Sequence, residues 1–172
     1  MADRRNISDD FNATARRFLD QEISSQLLLT KYGLMLKFQT QSVEERTELV
    51  GALCDTALKA LEARAAPRYH GYLGSSDIDS VATLLKTLEN PDSAPLLPAM
   101  APRALADIGM KYVQRAESSN DYNDRTKLTD YARLCLEHAD KFQAIFDRRN
   151  EDVSLAKNIT PAKRIVLKKD GP

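Results

Sequence analysis

Residues 11–38, FNATARRFLDQEISSQLLLTKYGLMLKF, form the stretch that decides the fold. Apolar residues recur there every three or four positions, as on one face of an α-helix. They are Phe11, Ala15, Phe18, Leu19, Ile23, Leu27, Leu34 and Phe38, widened by Leu28, Tyr32, Met35 and Leu36. The spacing predicts a single amphipathic helix over about residues 9–39, on the order of 45 Å long. Such a helix cannot cover its apolar face alone, so other helices of the chain or a second copy must pack along it.

The composition is that of an ordinary folded protein. The chain has 172 residues, 42% hydrophobic and 29% charged, with a formal net charge of zero. This length fits one domain, and zero net charge provides no overall attraction to nucleic acid or anionic membranes. The N-terminal residues lack the apolar core of an export signal. The most apolar window, residues 27–36, is too short for a membrane span and contains Lys31, so we expect no membrane association.

Two cysteines, Cys54 and Cys135, both fall within apolar stripes of helical spacing. This pattern favours small buried side chains, with a disulfide or a reactive thiol as the alternative. Because no disulfide framework is indicated, the default location is the reducing cytoplasm.

A second helix is predicted from Val43 to about Arg64. Ser42 and Glu45 have the spacing of a capping box, and apolar residues then recur at helical spacing. A short link to the first helix favours an antiparallel hairpin of the two. The loop that follows carries Tyr69, His70 and Tyr72. These side chains could bind a ligand or a nucleobase; alternatively, the tyrosines plug the end of the bundle and His70 faces solvent.

A third helix is predicted over about residues 77–89, with Ser76 as its N-cap. Residues 91–102 contain four prolines and should not form a regular helix. We interpret them as a hydrophobic crossover on the bundle surface, with an exposed partner-binding segment as the alternative. The crossover residues concerned are Leu96, Leu97 and Met100.

Two further helices are predicted, from Pro102 to about Glu117 and from about Asp124 to Arg149. The last has near-heptad apolar spacing, which suits antiparallel packing or a dimer seam. His138 on that helix is expected to be a partly exposed residue rather than a catalytic base.

The composition changes near residue 150, which divides the chain into a helical domain, residues 1–149, and a basic, flexible tail, residues 150–172. The tail could contact phosphates or add a strand to a partner's sheet; alternatively, it has no role. Its candidate partner-binding residues are Lys163, Arg164, Ile165, Val166, Leu167, Lys168 and Lys169.

No motif indicates an enzyme. The sequence has no Glu-x-x-His pair for a di-iron bundle, no Gly-rich phosphate loop and no Gly-x-Ser-x-Gly elbow. We therefore predict no catalytic residue, no metal and no cofactor. The expected protein is an all-α, single-domain bundle of about five helices with a long N-terminal helical hairpin. Its expected role is that of a cytoplasmic protein-interaction or assembly factor, most simply a homodimer. The alternative is a nucleic-acid-binding accessory protein that uses the tail together with Arg4 and Arg5.

Overall fold

The computed structural model describes the backbone of residues 4–38 and 42–170, and the side chains of residues 9–32 and 42–152. Within these ranges the chain is all-helical, as predicted, with no strand. It has six α-helices, one more than expected, and a short 3-10 turn at Ala94–Leu96. The α-helices are α1 Arg4–Leu19, α2 Ser25–Phe38, α3 Val43–Ala65, α4 Ser75–Leu88, α5 Ala101–Ser118 and α6 Tyr122–Asp170.

The single long helix predicted over residues 9–39 is wrong, because α1 ends at Leu19 and α2 begins at Ser25. Gln21 has a φ of 59°, in the left-handed region. The Gln21 N–H donates to the Phe18 carbonyl at 3.0 Å, and the Glu22 N–H to the Arg17 carbonyl at 2.8 Å. This pair of hydrogen bonds is a Schellman motif, which ends a helix by turning the chain.

The second half of the stretch begins with its own cap. The Leu27 N–H donates to Ser24 Oγ at 3.4 Å, and the Ser25 N–H donates to Ser80 Oγ on α4 at 2.9 Å. The restart also shifts the buried face, since Leu28 is fully buried and Leu27 is 53% exposed. The apolar stripe predicted through Leu27 is therefore wrong at that position, and its last members, from Leu34 onwards, lie outside the described side chains.

Helix α3 begins as predicted. Ser42 Oγ accepts a hydrogen bond from the Glu45 N–H at 3.2 Å, which confirms Ser42 as the N-cap. The predicted hairpin of this helix with one long first helix is wrong in that form, because two helices, α1 and α2, occupy the place of the long helix. Helix α4 begins earlier than predicted, after Gly74, so Ser76 lies inside its first turn and does not cap it.

The proline-rich crossover is pinned to the bundle. Leu97 is buried and Leu96 half-buried, whereas Met100 is 62% exposed. This arrangement supports the interpretation as a hydrophobic crossover. Leu97 therefore cannot serve as a partner contact, as the alternative required.

Helices α5 and α6 are joined by a turn of three residues, 119–121, and pack side by side. Gly109 allows the close approach, because a Cβ at that position would lie 2.9 Å from Cδ2 of Leu136. Helix α6 spans 49 residues and continues to Asp170. The predicted end of the last helix at Arg149 is therefore wrong, because the change in composition near residue 150 alters charge without breaking the helix.

Candidate functional site

The turn between α1 and α2 holds the loop that follows α3. The side-chain amide of Gln21 donates to the Tyr72 carbonyl at 2.7 Å and accepts from the Tyr72 N–H at 2.8 Å. The same Nε2 atom lies 3.1 Å from Asp77 Oδ1. A side chain far away in sequence thus satisfies both backbone groups of one loop residue and fixes the loop against the bundle.

Beneath this loop lies a buried ion pair. Arg64 is 1% exposed, and its Nη2 donates to Asp77 Oδ1 at 3.0 Å, while its Nε lies 2.8 Å from Oδ2. Tyr131 of α6 donates its hydroxyl hydrogen to Asp77 Oδ2 at 2.5 Å. Asp77 therefore links α3, α4, α6 and the α1–α2 turn through Gln21. Burial and, next, the bond to Asp77 raise the pKa of Tyr131, so it stays a donor.

Two aromatic rings contact the guanidinium group of Arg64. The ring centroids of Phe18 and Tyr69 lie 5.8 and 5.9 Å from its Cζ, within cation–π distance. Burial raises the pKa of Tyr69, although the positive charge of Arg64 opposes this effect. The predicted role of Tyr69 as a plug at the end of the bundle agrees with this packing.

Tyr112 and Arg115 complete the network. The rings of Tyr112 and Tyr131 stack with centroids 5.2 Å apart, and the Tyr112 hydroxyl donates to the Leu61 carbonyl at 2.5 Å. Arg115 Nη1 donates to the carbonyls of Arg64 and Ala65, at 3.1 and 3.3 Å, and so satisfies the end of α3.

The three loop candidates have different environments. Tyr69 is half-buried against Arg64, His70 is exposed, and Tyr72 is 61% exposed with its backbone held by Gln21. His70 faces solvent as predicted, whereas the prediction that Tyr72 plugs the end of the bundle together with Tyr69 is wrong. The tail candidates from Lys163 to Lys169 lie outside the described side chains.

His138 is buried, and the prediction of a partly exposed residue is wrong. It is 3% exposed, and its Nδ1 contacts Oε1 of Glu89 at the end of α4. The contact joins α4 to α6 and accounts for the burial, because a buried polar ring needs a partner.

Both cysteines are free and buried, as the stripe pattern predicted. Burial raises the pKa of each thiol to about 12. In the folded chain both thiols are therefore protonated at neutral pH.

The network around Asp77 is structural in character. The charges of Arg64 and Asp77 balance, and both side chains are buried. Among the described residues, no group of three or more His, Cys, Asp and Glu side chains is placed to hold a metal ion. Across residues 4–38 and 42–170, no helix has both the length and the apolar character that crossing a membrane requires.

Sequence reasoning missed Gln21, Asp77 and Tyr131 as network members, and it treated Arg64 only as a basic residue near the end of a helix. One signal was present: Arg64 follows Leu61 by three positions, so it continues the apolar stripe of α3. A charged residue on that stripe implies a buried partner.

The other distinctive feature is where α6 leaves the bundle. Phe142 is fully buried, and Ile145 and Phe146 still pack against the core. Residues 147–152 are all exposed, although they cover more than one and a half turns of helix. We call residues 147–170 the α6 arm. Comparison with protein-family models, with curated proteins and with solved structures finds no match to this chain.

Proposed function

We propose that this protein is a non-enzymatic interaction or assembly factor whose α6 arm makes contacts outside its own bundle. The single observation behind this proposal is that every residue from 147 to 152 is exposed while the helix continues to Asp170. Helices in proteins owe most of their stability to packing of one face, and isolated helices are marginal in water. Over residues 147–152 this helix has no packed face, so we place another molecule beside it.

The buried network supports the same function. Gln21, Arg64, Asp77 and Tyr131 fix the relative positions of the helices at one end of the bundle. Such a network suits a rigid body that presents a helix to a partner. We also propose the cytoplasm as its location, because both buried cysteines are free thiols.

The test compares the full chain with a variant that ends after Asp152. Static light scattering at low salt should give twice 19.3 kDa for the full chain and a monomer mass for the shortened variant. At high salt, where the dimer should dissociate, the urea midpoint of the shortened variant should match that of the full chain, because the helix has already left the core at residues 147–152. Equal masses for both chains, each as a folded monomer, would contradict the proposal of self-association.

A second candidate function is nucleic-acid binding through the arm. It is favoured by the five basic residues between Lys157 and Lys169. A few phosphate contacts would give weak binding that falls steeply with salt. A gel shift at low salt with the full chain and the shortened variant tests this candidate, and no shift by the full chain would end it.

A further inference from the structure

We infer that the partner of the α6 arm is a second copy of this chain, held by opposite charge. The inference rests on the proposed function and names its partner. Its basis is that the bundle and the arm carry opposite net charges, although the net charge of the whole chain is zero. Residues 147–170, the α6 arm, contain seven basic and four acidic residues, although the whole chain has 25 of each. Residues 1–146 therefore carry 18 basic and 21 acidic residues, so the bundle is negative and the arm positive.

The arm does not lie on its own bundle where its side chains are described. It continues α6 directly, and the exposure of residues 147–152 shows that the helix has already left the core there. A helix of 24 residues is about 36 Å long and does not fold back on itself. We therefore assign the acidic surface that pairs with the arm to a second bundle, whose net charge is opposite.

The bundle has exposed carboxylates to offer. Asp10, Asp55 and Glu62 are engaged by lysines at 2.7 to 2.9 Å. Among the described residues, other exposed acids have no ion pair within 4.0 Å: Glu44 and Glu48 in the first turns of α3, and Glu117, Asp121 and Asp124 around the α5–α6 turn. The excess negative charge of the bundle is therefore at the surface, where a second copy can reach it.

Symmetry makes the contact reciprocal. If the arm of one copy lies on the bundle of another, a twofold axis places the second arm on the first bundle, so each contact occurs twice. Each exposed ion pair contributes little to stability, because both charges are well solvated. The dimer should therefore be weak and should depend strongly on salt, since charges at the surface are screened beyond about 8 Å at physiological ionic strength.

The same division of charge favours a protein partner over nucleic acid. A polyanion drawn to the arm would also approach the negative bundle and be repelled by it. Two copies of the chain attract each other at both contacts, because the negative bundle of each copy attracts the positive arm of the other.

The experiment measures mass by light scattering across salt concentration for three full-length proteins. They are the natural chain, a reversed variant with Lys163→Glu, Arg164→Glu, Lys168→Glu and Lys169→Glu, and a control with Lys163→Arg, Lys168→Arg and Lys169→Arg. We expect the natural chain and the control to be dimers at about 20 mM salt and monomers by about 0.5 M. The reversed variant should dimerise at least tenfold more weakly at low salt.

Each other outcome has a distinct meaning. A dimer that persists at 0.5 M salt and in the reversed variant would overturn the charge-based partner and leave the proposed assembly function standing. A monomer under all conditions would overturn the second copy as the partner and, with it, self-association as the form of assembly. An increase in mass only after an oligonucleotide is added would replace the second copy by nucleic acid. Circular dichroism of the three proteins checks that the reversed variant keeps its helical content.

Discussion

Removing the charge of Asp77 should destabilise the bundle more than any other single carboxylate change. Asp77 is 9% exposed and receives hydrogen bonds from Arg64, Tyr131 and Gln21. The substitution Asp77→Asn would leave the guanidinium of Arg64 buried without its counter-charge. Breaking a buried ion pair by removing one partner costs about 3 to 5 kcal/mol. For a chain of this size that loss corresponds to a fall in Tm of about 6 to 20 °C.

Urea unfolding followed by circular dichroism measures this loss. The midpoint should fall with little change in the slope, because the surface exposed on unfolding is nearly the same. Asp79→Asn is the matched control, since Asp79 lies on the same helix, two positions further on, and is exposed. It should change the free energy of unfolding by less than about 0.5 kcal/mol.

A double variant distinguishes the loss of the counter-charge from any other effect of a substitution at position 77. Replacing both partners, as Arg64→Met with Asp77→Leu, removes the uncompensated charge and should recover most of the lost stability. Such replacements are often neutral, or stabilising by about 1 to 4 kcal/mol. The reasoning would be refuted if Asp77→Asn were as mild as Asp79→Asn, or if the double variant were less stable than Asp77→Asn alone.

Further predictions concern the turn, the crossover and the thiols. The Gln21→Gly variant should be more stable than Gln21→Ala by about 1 kcal/mol. Both variants lose the hydrogen bonds to Tyr72, but only alanine is strained at a positive φ. The reverse order of stability in urea unfolding would contradict this prediction. Leu97→Ala should cost about 2 to 4 kcal/mol and Met100→Ala less than about 0.5, and equal losses would show that the crossover is not pinned. A thiol reagent at pH 8 should label neither cysteine in the folded protein and both in guanidinium, and rapid labelling of the folded protein would contradict their burial. Burial raises the pKa of each thiol from 9.0 to about 12, so as pH rises the unfolded chain loses these protons before the folded chain does. The stability that the thiols contribute should therefore be complete below pH 9 and should be lost between pH 9 and 12. Cys54→Ala with Cys135→Ala should reduce that loss, and an unchanged profile would refute its assignment to the thiols.

The helices with local end signals were the ones that the sequence predicted well. The second predicted helix, from Val43 to about Arg64, matches α3 at Val43–Ala65, and the fourth, from Pro102 to about Glu117, matches α5 at Ala101–Ser118. Their ends are marked by a serine cap or by proline, which act on the nearest turn of helix alone. No other part of the chain has to be known for such a prediction.

The break after Leu19 was missed for a physical reason. The apolar spacing passes through the turn without a gap, and the left-handed position that ends α1 is occupied by Gln21 where glycine is usual. The side-chain bonds of Gln21 to Tyr72 stabilise that conformation, and they depend on a loop that lies 51 positions away. Ser24 was the one local signal of a new helix start.

The buried pairs could be predicted only in part. The position of Arg64 on an apolar stripe shows that it is buried, but not that Asp77 is its partner. Likewise, His138 follows Cys135 by three positions, yet its burial against Glu89 depends on where α4 ends beside α6. Which helices meet is a property of the packed chain, and spacing along one helix does not contain it.

The proposed assembly through the α6 arm requires that α6 remain one helix beyond the bundle. Spin labels at Ala144→Cys and Lys168→Cys, in a chain with Cys54→Ala and Cys135→Ala, report the distance across the arm by pulsed electron paramagnetic resonance. A continuous helix places the two positions about 36 Å apart, so the distance distribution should be narrow and centred near that value. A broad distribution, or one centred well below it, would show that the chain beyond the bundle is not the helical arm on which assembly depends.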